Sequence, residues 1–518
     1  MSTHHRTGSP SDLLRYGQPA GRWVLLATVL GSSLAFIDAT VVNIALPRIG
    51  TNLHADTAGL QWTVNGYTLS LASLILLGGS LGDRFGRRRI FVVGVCWFAT
   101  ASLLCGLAPN IGTLIAARIL QGAGGALLTP GALAILEASF HPDDRATAIG
   151  AWSGLGGIAG ALGPFLGGWL VQVGSWRLVF LINVPLAALV AVVALRHVPE
   201  SRDPDAPPGL DIAGVLTGAV GLAGLTYGFT AWPALGGSSP VVIGSLAIGA
   251  AGIVAFVLAE RRSLHPMLPL EVFASRAFTA ANLVTFAVYA ALGGVFFLVV
   301  LNLQVVRHFT PLAAGTALLP ITALMLLLSA RAGALAQRIG PRLPMTLGPL
   351  ICAGALVLFA RIGANASYIR DVLPAAVILG LGLSLTVAPL TATALGSVPE
   401  RHAGVASGVN NAVARAAGLL AVAVLPLAAG LGTGSLTNPA DLASVYHTAM
   451  LLCSGLLIVG AGIALVAIPA KLAAPATPGQ PAAAKPPAVP IPFNCPISGP
   501  TLPPETYAVS GPAPPQPG

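Results

Sequence analysis

The sequence predicts an all-α polytopic membrane protein with fourteen transmembrane helices. Three observations carry that expectation. Of 518 residues, 55% are hydrophobic and 8% charged, against about 25% charged in a typical soluble protein. The apolar residues fall in runs of about 20, the length a helix needs to cross a bilayer. Lys and Arg are spread very unevenly among the connections, as they are on the two sides of a membrane.

Span 1, residues 22–46, ends in AFIDATVVNIALP (35–47), which places Asp38 and Asn43 inside an apolar run. A carboxylate near the middle of a spanning helix costs about 2.5–3.5 kcal/mol, so the protein's working has to offset it. The polar residues 1–21 lead into a span too long for a signal-peptide core and are expected to form a cytoplasmic N-terminal segment. Span 2 covers 59–80 and carries Trp62 and Tyr67. The turn GSLGDRFGRRR (79–89) joins it to span 3 at 89–108. Glycines such as Gly79 and Gly86 permit a sharp reversal there, beside Arg84 and the headgroup-level Arg87, Arg88 and Arg89. Asp83, an acid among these bases, is expected to pair with an arginine or a helix N-terminus.

Span 4, 111–136, contains ARILQGAGGALLTP (117–130). Arg118 lies some eight residues inside its outer end, roughly 12 Å deep. Asp38 lies about nine residues inside the outer end of span 1. Either residue alone reads as a side chain snorkelling near an interface, but both are deep for that. Their matching depth predicts a buried charge pair. Span 5, 146–172, reads GLGGIAGALGPFLGGWL at 154–170. Gly156, Gly160, Gly163 and Gly167 make one smooth face, with Gly168 beside it, and Pro164 removes a backbone hydrogen bond and bends the helix. A glycine stripe alone means packing; with the proline it means a helix that packs closely and pivots.

Span 6 covers 177–196, and spans 7 and 8 cover 211–231 and 240–260. Spans 9 to 12 cover 277–301, 312–333, 342–361 and 371–394. The turn after span 10, GALAQRIGPRL (333–343), repeats the pattern G-x-L-x-x-R-x-G-x-R of the turn after span 2, with Gln337 in place of Asp83. A loop pattern recurring in two halves is what a duplicated transporter shows. The expected domains are therefore a six-helix bundle at 22–200, two inserted helices at 201–265 and a second six-helix bundle at 266–470. Span 13, 403–430, encloses Arg415, which reads either as a helix-packing or inner-gate residue or as a partner for substrate. Span 14 covers 447–469. The last 48 residues, 471–518, contain 15 prolines and are expected to be a disordered cytoplasmic tail.

With the N-terminus cytoplasmic, both tails and the even-to-odd loops hold about 19 of the 26 Lys and Arg residues. The opposite side holds Arg48, Arg177, Arg307, Arg361 and Arg370. That asymmetry places both termini in the cytoplasm, and it accounts for the formal charge of +9 without a nucleic-acid partner. The five cysteines lack CxxC spacing and suggest neither disulfides nor a metal site. No GxxxxGK[ST] pattern and no Ser/His/Asp constellation is present, so neither enzyme nor ATP-driven pump is expected, and no cofactor.

The motifs resemble those of the major facilitator superfamily, in the fourteen-helix drug:proton antiporter group often called the DHA2 family, over about residues 20–470. IDATVVNIALP is similar to that group's first-helix motif and ARILQGAG to its fourth. GALGPFLGG resembles the G-x-x-x-G-P-x-x-G-G element of proton-coupled exporters, generally absent from uptake members. GSLGDRFGRRR resembles the turn that braces the inner gate, and AGVASGVNNAVARAAGLL (403–420) looks like the thirteenth helix. The resemblance implies the major-facilitator fold, two six-helix bundles plus two inserted helices, working by alternating access as a monomer in the cell membrane. It implies proton-coupled export of small amphipathic compounds, drug or metabolite. Asp38 and Arg118 would couple protons. Gly79, Asp83, Arg84, Gly86 and Arg87 would form the inner-gate loop, and Gly160, Gly163, Pro164, Gly167 and Gly168 the antiporter helix. Asn43 and Arg415 would serve substrate or gate.

One departure bears on the cargo. Some multidrug members carry further membrane acids in later helices to recognise cationic drugs, whereas spans 9 to 14 here contain no Asp between their ends and no Glu at all. The cavity is expected to favour neutral or anionic compounds. Asn43, Trp62, Tyr67, Asn282, Tyr289 and Gln304 are polar or aromatic groups that either line it or bond helix to helix. Three rival readings stand: a dedicated exporter of one endogenous metabolite, a proton-coupled uptake symporter, and a membrane sensor or scaffold. The span 5 motif opposes the second, and the third leaves the intramembrane charges without a purpose.

Overall fold

The computed structural model describes residues 13–203, 209–263, 266, 268–363, 365–398, 403–431 and 436–470. The first twelve residues and the proline-rich tail expected at 471–518 lie outside them. Among the described residues the chain is all helix, with one isolated β-bridge between Leu14 and Phe140.

The first half comprises α1 (Pro19–Leu53), α2 (Thr57–Phe85), α3 (Arg87–Gly106), α4 (Ile111–Ser139), α5 (Pro142–Val173), α6 (Leu178–Leu181) and α7 (Asn183–His197). A hairpin follows, α8 (Ile212–Leu235) and α9 (Pro240–Arg262). The second half comprises α10 (Arg276–Val305), α11 (Pro311–Ala317), α12 (Leu319–Ile339), α13 (Arg342–Ala360), α14 (Leu373–Gly396), α15 (Ala403–Ala428) and α16 (Pro439–Ala467). Thirteen helical stretches among the described residues are long and apolar enough to cross a membrane, with α6–α7 and α11–α12 each counted as one. The fourteenth predicted span is α5, 32 residues long, whose described apolar stretch is Ile158–Val173.

Helix starts follow local capping chemistry. Asp56 accepts the Gly59 N–H at 2.7 Å ahead of α2, and Asn110 and Thr113 form a reciprocal capping box ahead of α4, each satisfying amides that the first helical turn leaves unbonded. α1 runs further at its C-terminal end than the span 22–46 expected from sequence. Pro47 gives up one hydrogen bond without ending the helix, which runs on to Leu53 and stops at His54 in the left-handed region (φ 50°).

Within the first bundle α2 and α3 pack on α4, α1 on α5, and α3 on α7. Within the second, α10 packs on α15 and α16, α12 on α14, and α13 on α14 and α16. The hairpin helices α8 and α9 pack on each other, and α8 also touches α2 and α15. Large apolar side chains such as Leu216, Ile243, Ile248 and Val254 on this pair are exposed, as lipid-facing residues are.

The duplicated turn pattern has a structural counterpart. Gly86 ends α2 with φ 115° and Gly340 ends α12 with φ 88°, a backbone region that side chains bearing a Cβ rarely enter. The end of the bundle that carries these two turns is here the near end; the α1–α2 and α10–α11 connections mark the far end. The two bundles meet closely at the far end. Gln61 Nε2 donates to the Val422 carbonyl at 2.7 Å and Gln304 Nε2 to the Ile44 carbonyl at 2.9 Å. A Cβ built on Gly315 of α11 would stand 2.2 Å from the Pro164 carbonyl of α5, and one on Gly168 would stand 2.6 Å from Leu312 Cα.

Candidate functional site

The inside of the first bundle holds a polar centre. Asp38 of α1 is fully buried and Arg118 of α4 is 1% exposed. Arg118 Nη1 donates to Asp38 Oδ2 at 2.5 Å and to Gln121 Oε1 at 2.8 Å. Its Nε donates to the Thr63 carbonyl of α2 at 3.0 Å. The guanidinium lies 4.3 Å from the ring centre of Tyr67, a cation–π distance. The charge pair expected from matching depth is present, although α1 extends beyond the end on which that depth was measured.

Asp38 has more partners than Arg118 alone. Its Oδ1 accepts from Gln121 Nε2 at 2.9 Å and from Asn183 Nδ2 of α7 at 3.4 Å. Ser102 of α3 ties the second layer: it accepts from Gln121 Nε2 at 3.2 Å and Asn183 Nδ2 at 3.0 Å, and donates to the Phe180 carbonyl at 2.9 Å. Gln121, Asn183 and Ser102 are all buried. Sequence reading missed them, although the spacing of Arg118 and Gln121, three apart and so on one helix face, was a usable signal. Side chains of α1, α3, α4 and α7 thus join in one network around this carboxylate, with backbone carbonyls of α2 and α6 accepting at its edge. These hydrogen bonds tie α1 to α4 and α7 through the Asp38 carboxylate.

The remaining predicted residues fall elsewhere. At the near end, Asp83 pairs with Arg87 at 2.8 Å, four residues on and across the turn at Gly86. The α3 N-terminus takes a different acid, Glu200, whose Oε1 accepts the Arg88 N–H at 3.1 Å. Glu200 also lies 3.7 Å from Arg88 Nε and Arg89 Nε. A Cβ on Gly86 would meet Glu200 Oε1 at 2.7 Å, while Gly79 is open enough that its nearest neighbour would be Pro130 Cβ at 3.8 Å. Arg84 lies over the Phe85 ring. None of these contacts reaches the second bundle.

The α5 residues divide between two partners. Gly163 and Gly167 face Thr40 and Val41 of α1, where added Cβ atoms would stand 2.0 and 2.9 Å from side-chain atoms, and Gly160 stands off Phe36 at 4.0 Å. Gly168 and Pro164 face α11 instead. Asn43 donates weakly to Ala39 at 3.4 Å and leaves its buried Oδ1 without a partner. Arg415 of α15 is half-buried. Asn282 joins α10 to α15 through Asn410 at 3.3 Å, Trp62 packs near Tyr227 of α8, and Gln304 bridges the bundles as described. Among the described residues no group of His, Cys, Asp and Glu is arranged to hold a metal ion.

Two helical bundles meeting along a common seam, a hairpin beside them and a sealed charge pair within one bundle are the architecture of a multi-pass membrane transporter. The chain belongs to the Major Facilitator Superfamily, which it matches over residues 28–422. It is 36% identical over 423 residues to the tetracenomycin C resistance and export protein of Streptomyces glaucescens, covering 80% of this chain and 77% of that one. It is 35% identical over 430 residues to the drug efflux pump JefA of Mycobacterium tuberculosis, covering 82% and 84%. The fold is also that of a POT family transporter solved in complex with a thioalcohol-conjugated peptide, with a TM-score of 0.67, 15% identity, and 88% and 98% of the two chains covered.

Proposed function

We propose that this chain exports small, amphipathic organic compounds across the cell membrane in exchange for protons, with Asp38 as the coupling acid and Arg118 as its counter-ion. Export is the reading its resistance and efflux relatives support. The observation that carries the coupling is the burial of Asp38 on Arg118, Gln121 and Asn183. That cluster is stable with the carboxylate charged and has to rearrange when it takes a proton. The uneven spread of positive residues supports cytoplasmic termini; in that orientation the far end is extracellular and this conformation is closed to the outside. The two bundles then rock against each other, the α5–α11 contact parting as the far end opens, and the chain works as a monomer. Each bundle is a six-span unit, with the α8–α9 hairpin inserted between them.

The test uses inverted membrane vesicles with an acidified interior and a pH-sensitive dye. A panel of neutral, anionic and cationic compounds is added to wild type and to Asp38→Asn. Compound-induced proton release in wild type alone supports the reading. Equal proton release from both, with transport of the compound verified separately, removes Asp38 from the mechanism.

A further inference from the structure

The seam between α2 and α15 contains a cation that the proton-coupling cluster does not use. Positions 408, 415 and 422 of α15 are seven residues apart and so share one helix face. Both outer members of that set touch α2: Val422 accepts from Gln61, and a Cβ on Gly408 would meet Leu76 Cδ2 at 2.9 Å. Arg415 stands midway between these contacts, on the face of α15 that meets α2, and is half-buried. Among the described residues no hydrogen bond or ion pair reaches its guanidinium.

The facing surface of α2 also has unmet hydrogen-bonding capacity. Asn65, one turn from Gln61 and on the same face, is fully buried with neither amide atom partnered, and the Tyr67 hydroxyl is buried and unpartnered. Buried polar groups in proteins are ordinarily satisfied, and each exception calls for an explanation. A membrane cation costs more still to leave alone. The acid nearest in character, Asp38, is fully committed to Arg118, Gln121 and Asn183. The spans of the second bundle supply no acid between their ends to neutralise Arg415.

We infer that Arg415 is the charge-selecting residue of the transport cavity, receiving an acidic group of the cargo (a carboxylate, sulfonate or ionised phenol) while Asn65 supplies a neutral hydrogen bond beside it. The inference rests on the small-molecule export reading and adds the class of cargo. It makes this transporter selective for organic anions over cations of the same size and shape.

Two xanthene dyes of similar size test it: fluorescein, an anion, and tetramethylrhodamine methyl ester, a cation. Binding to the purified full-length protein in detergent is read by fluorescence anisotropy, with no proton gradient. Wild type is expected to bind fluorescein more tightly. Arg415→Gln should weaken fluorescein by about ten- to hundredfold, the range for losing a charge-assisted hydrogen bond, and leave the cation unaffected, while Arg415→Lys keeps the anion preference. In wild type, fluorescein should also protect Arg415 from phenylglyoxal labelling, which needs no variant to fold. A wild-type preference for the cation, equal loss of both dyes in a folded Arg415→Gln, or no protection each overturns the inference. Because binding is read without a gradient, failure of proton coupling leaves this result standing, and the converse also holds.

Discussion

Arg342 does in the second bundle what Arg88 does in the first. Arg88 Nη1 donates to the Val198 carbonyl at 3.1 Å and Arg342 Nε to the Ile468 carbonyl at 2.8 Å. Val198 and Ile468 are the C-cap residues of α7 and α16, the last helix of each half. The two arginines occupy the last position of the repeated turn pattern. Duplication therefore preserved a contact between the second helix–helix turn and the final helix, where a cation meets carbonyls that a helix end leaves unbonded. The Asp83–Arg87 pair has not been preserved: Gln337 and Pro341 stand at the two equivalent positions, so both partners have gone together.

Arg342→Ala should loosen the end of α16 without unfolding the protein. A charged hydrogen bond at a partly exposed site contributes about 1 kcal/mol, so amide exchange near Ala464–Ile468 should accelerate about fivefold. Arg88→Ala should have the larger effect on its own half, because Arg88 also faces Glu200. Hydrogen-exchange mass spectrometry on both variants measures this, and unchanged exchange in both would mean that the two contacts do not hold these helix ends.

The buried pair predicts strong non-additivity. Removing one member of a buried ion pair costs about 3–5 kcal/mol, because it strands the other. Asp38→Asn keeps the shape of the carboxylate but leaves Arg118 uncompensated, and Arg118→Met leaves Asp38 uncompensated. The double variant strands neither charge, so it should be more thermostable than either single variant while remaining unable to couple transport to protons. Thermal midpoints of the four purified proteins form the cycle. Additive losses would show that Asp38 and Arg118 act independently.

The charged half of this centre was legible because a carboxylate and a guanidinium are conspicuous in apolar spans. Ser102, Gln121 and Asn183 were not, since neutral polar residues are tolerated in membrane helices and their direction is fixed only once α3, α4 and α7 pack. The glycines of α5 were legible as a face, but not that Gly163 and Gly167 meet α1 while Gly168 meets α11 in the other bundle. Glu200 was hidden for a different reason. It belongs to the connection after α7, far along the chain from the turn it caps, and no local pattern announces that pairing.

Two glycines of the near-end turn should respond oppositely to alanine. Gly86 has φ 115°, and a Cβ there would also meet the Glu200 carboxylate at 2.7 Å. Gly86→Ala should cost about 1–3 kcal/mol of strain and displace Glu200 from the α3 N-terminus. Gly82 lies in the last turn of α2, and its Cβ would find only Arg87 Cα at 4.0 Å. Gly82→Ala should be neutral or stabilising, since alanine is favoured over glycine in a helix by about 1 kcal/mol. Thermal midpoints and expression of the two variants compare them directly. Equal losses would mean that neither the left-handed backbone at Gly86 nor its approach to Glu200 sets the requirement for glycine.

The far-end contacts make a conformational prediction. A Cβ on Gly315 would stand 2.2 Å from a backbone oxygen of α5, so no side-chain rotation relieves it, whereas a Cβ on Gly160 would stand 4.0 Å from Phe36 Cβ within the first bundle. The first clash exists only while the two bundles are together at that end. Gly315→Ala should therefore disfavour this conformation and shift the population toward one open there; a bias of about 1.4 kcal/mol changes the ratio tenfold. A cysteine replacing Gln304, whose side chain bridges to Ile44, reports opening when the exposed Cys96 has been replaced. A membrane-impermeant maleimide should label it about ten times faster with Gly315→Ala than without. Gly160→Ala should not change the rate. Equal labelling in all three proteins would show that the α5–α11 approach is not the closed gate. Faster labelling with Gly160→Ala as well would place the effect in the packing of α1 on α5, inside one bundle and not between the two.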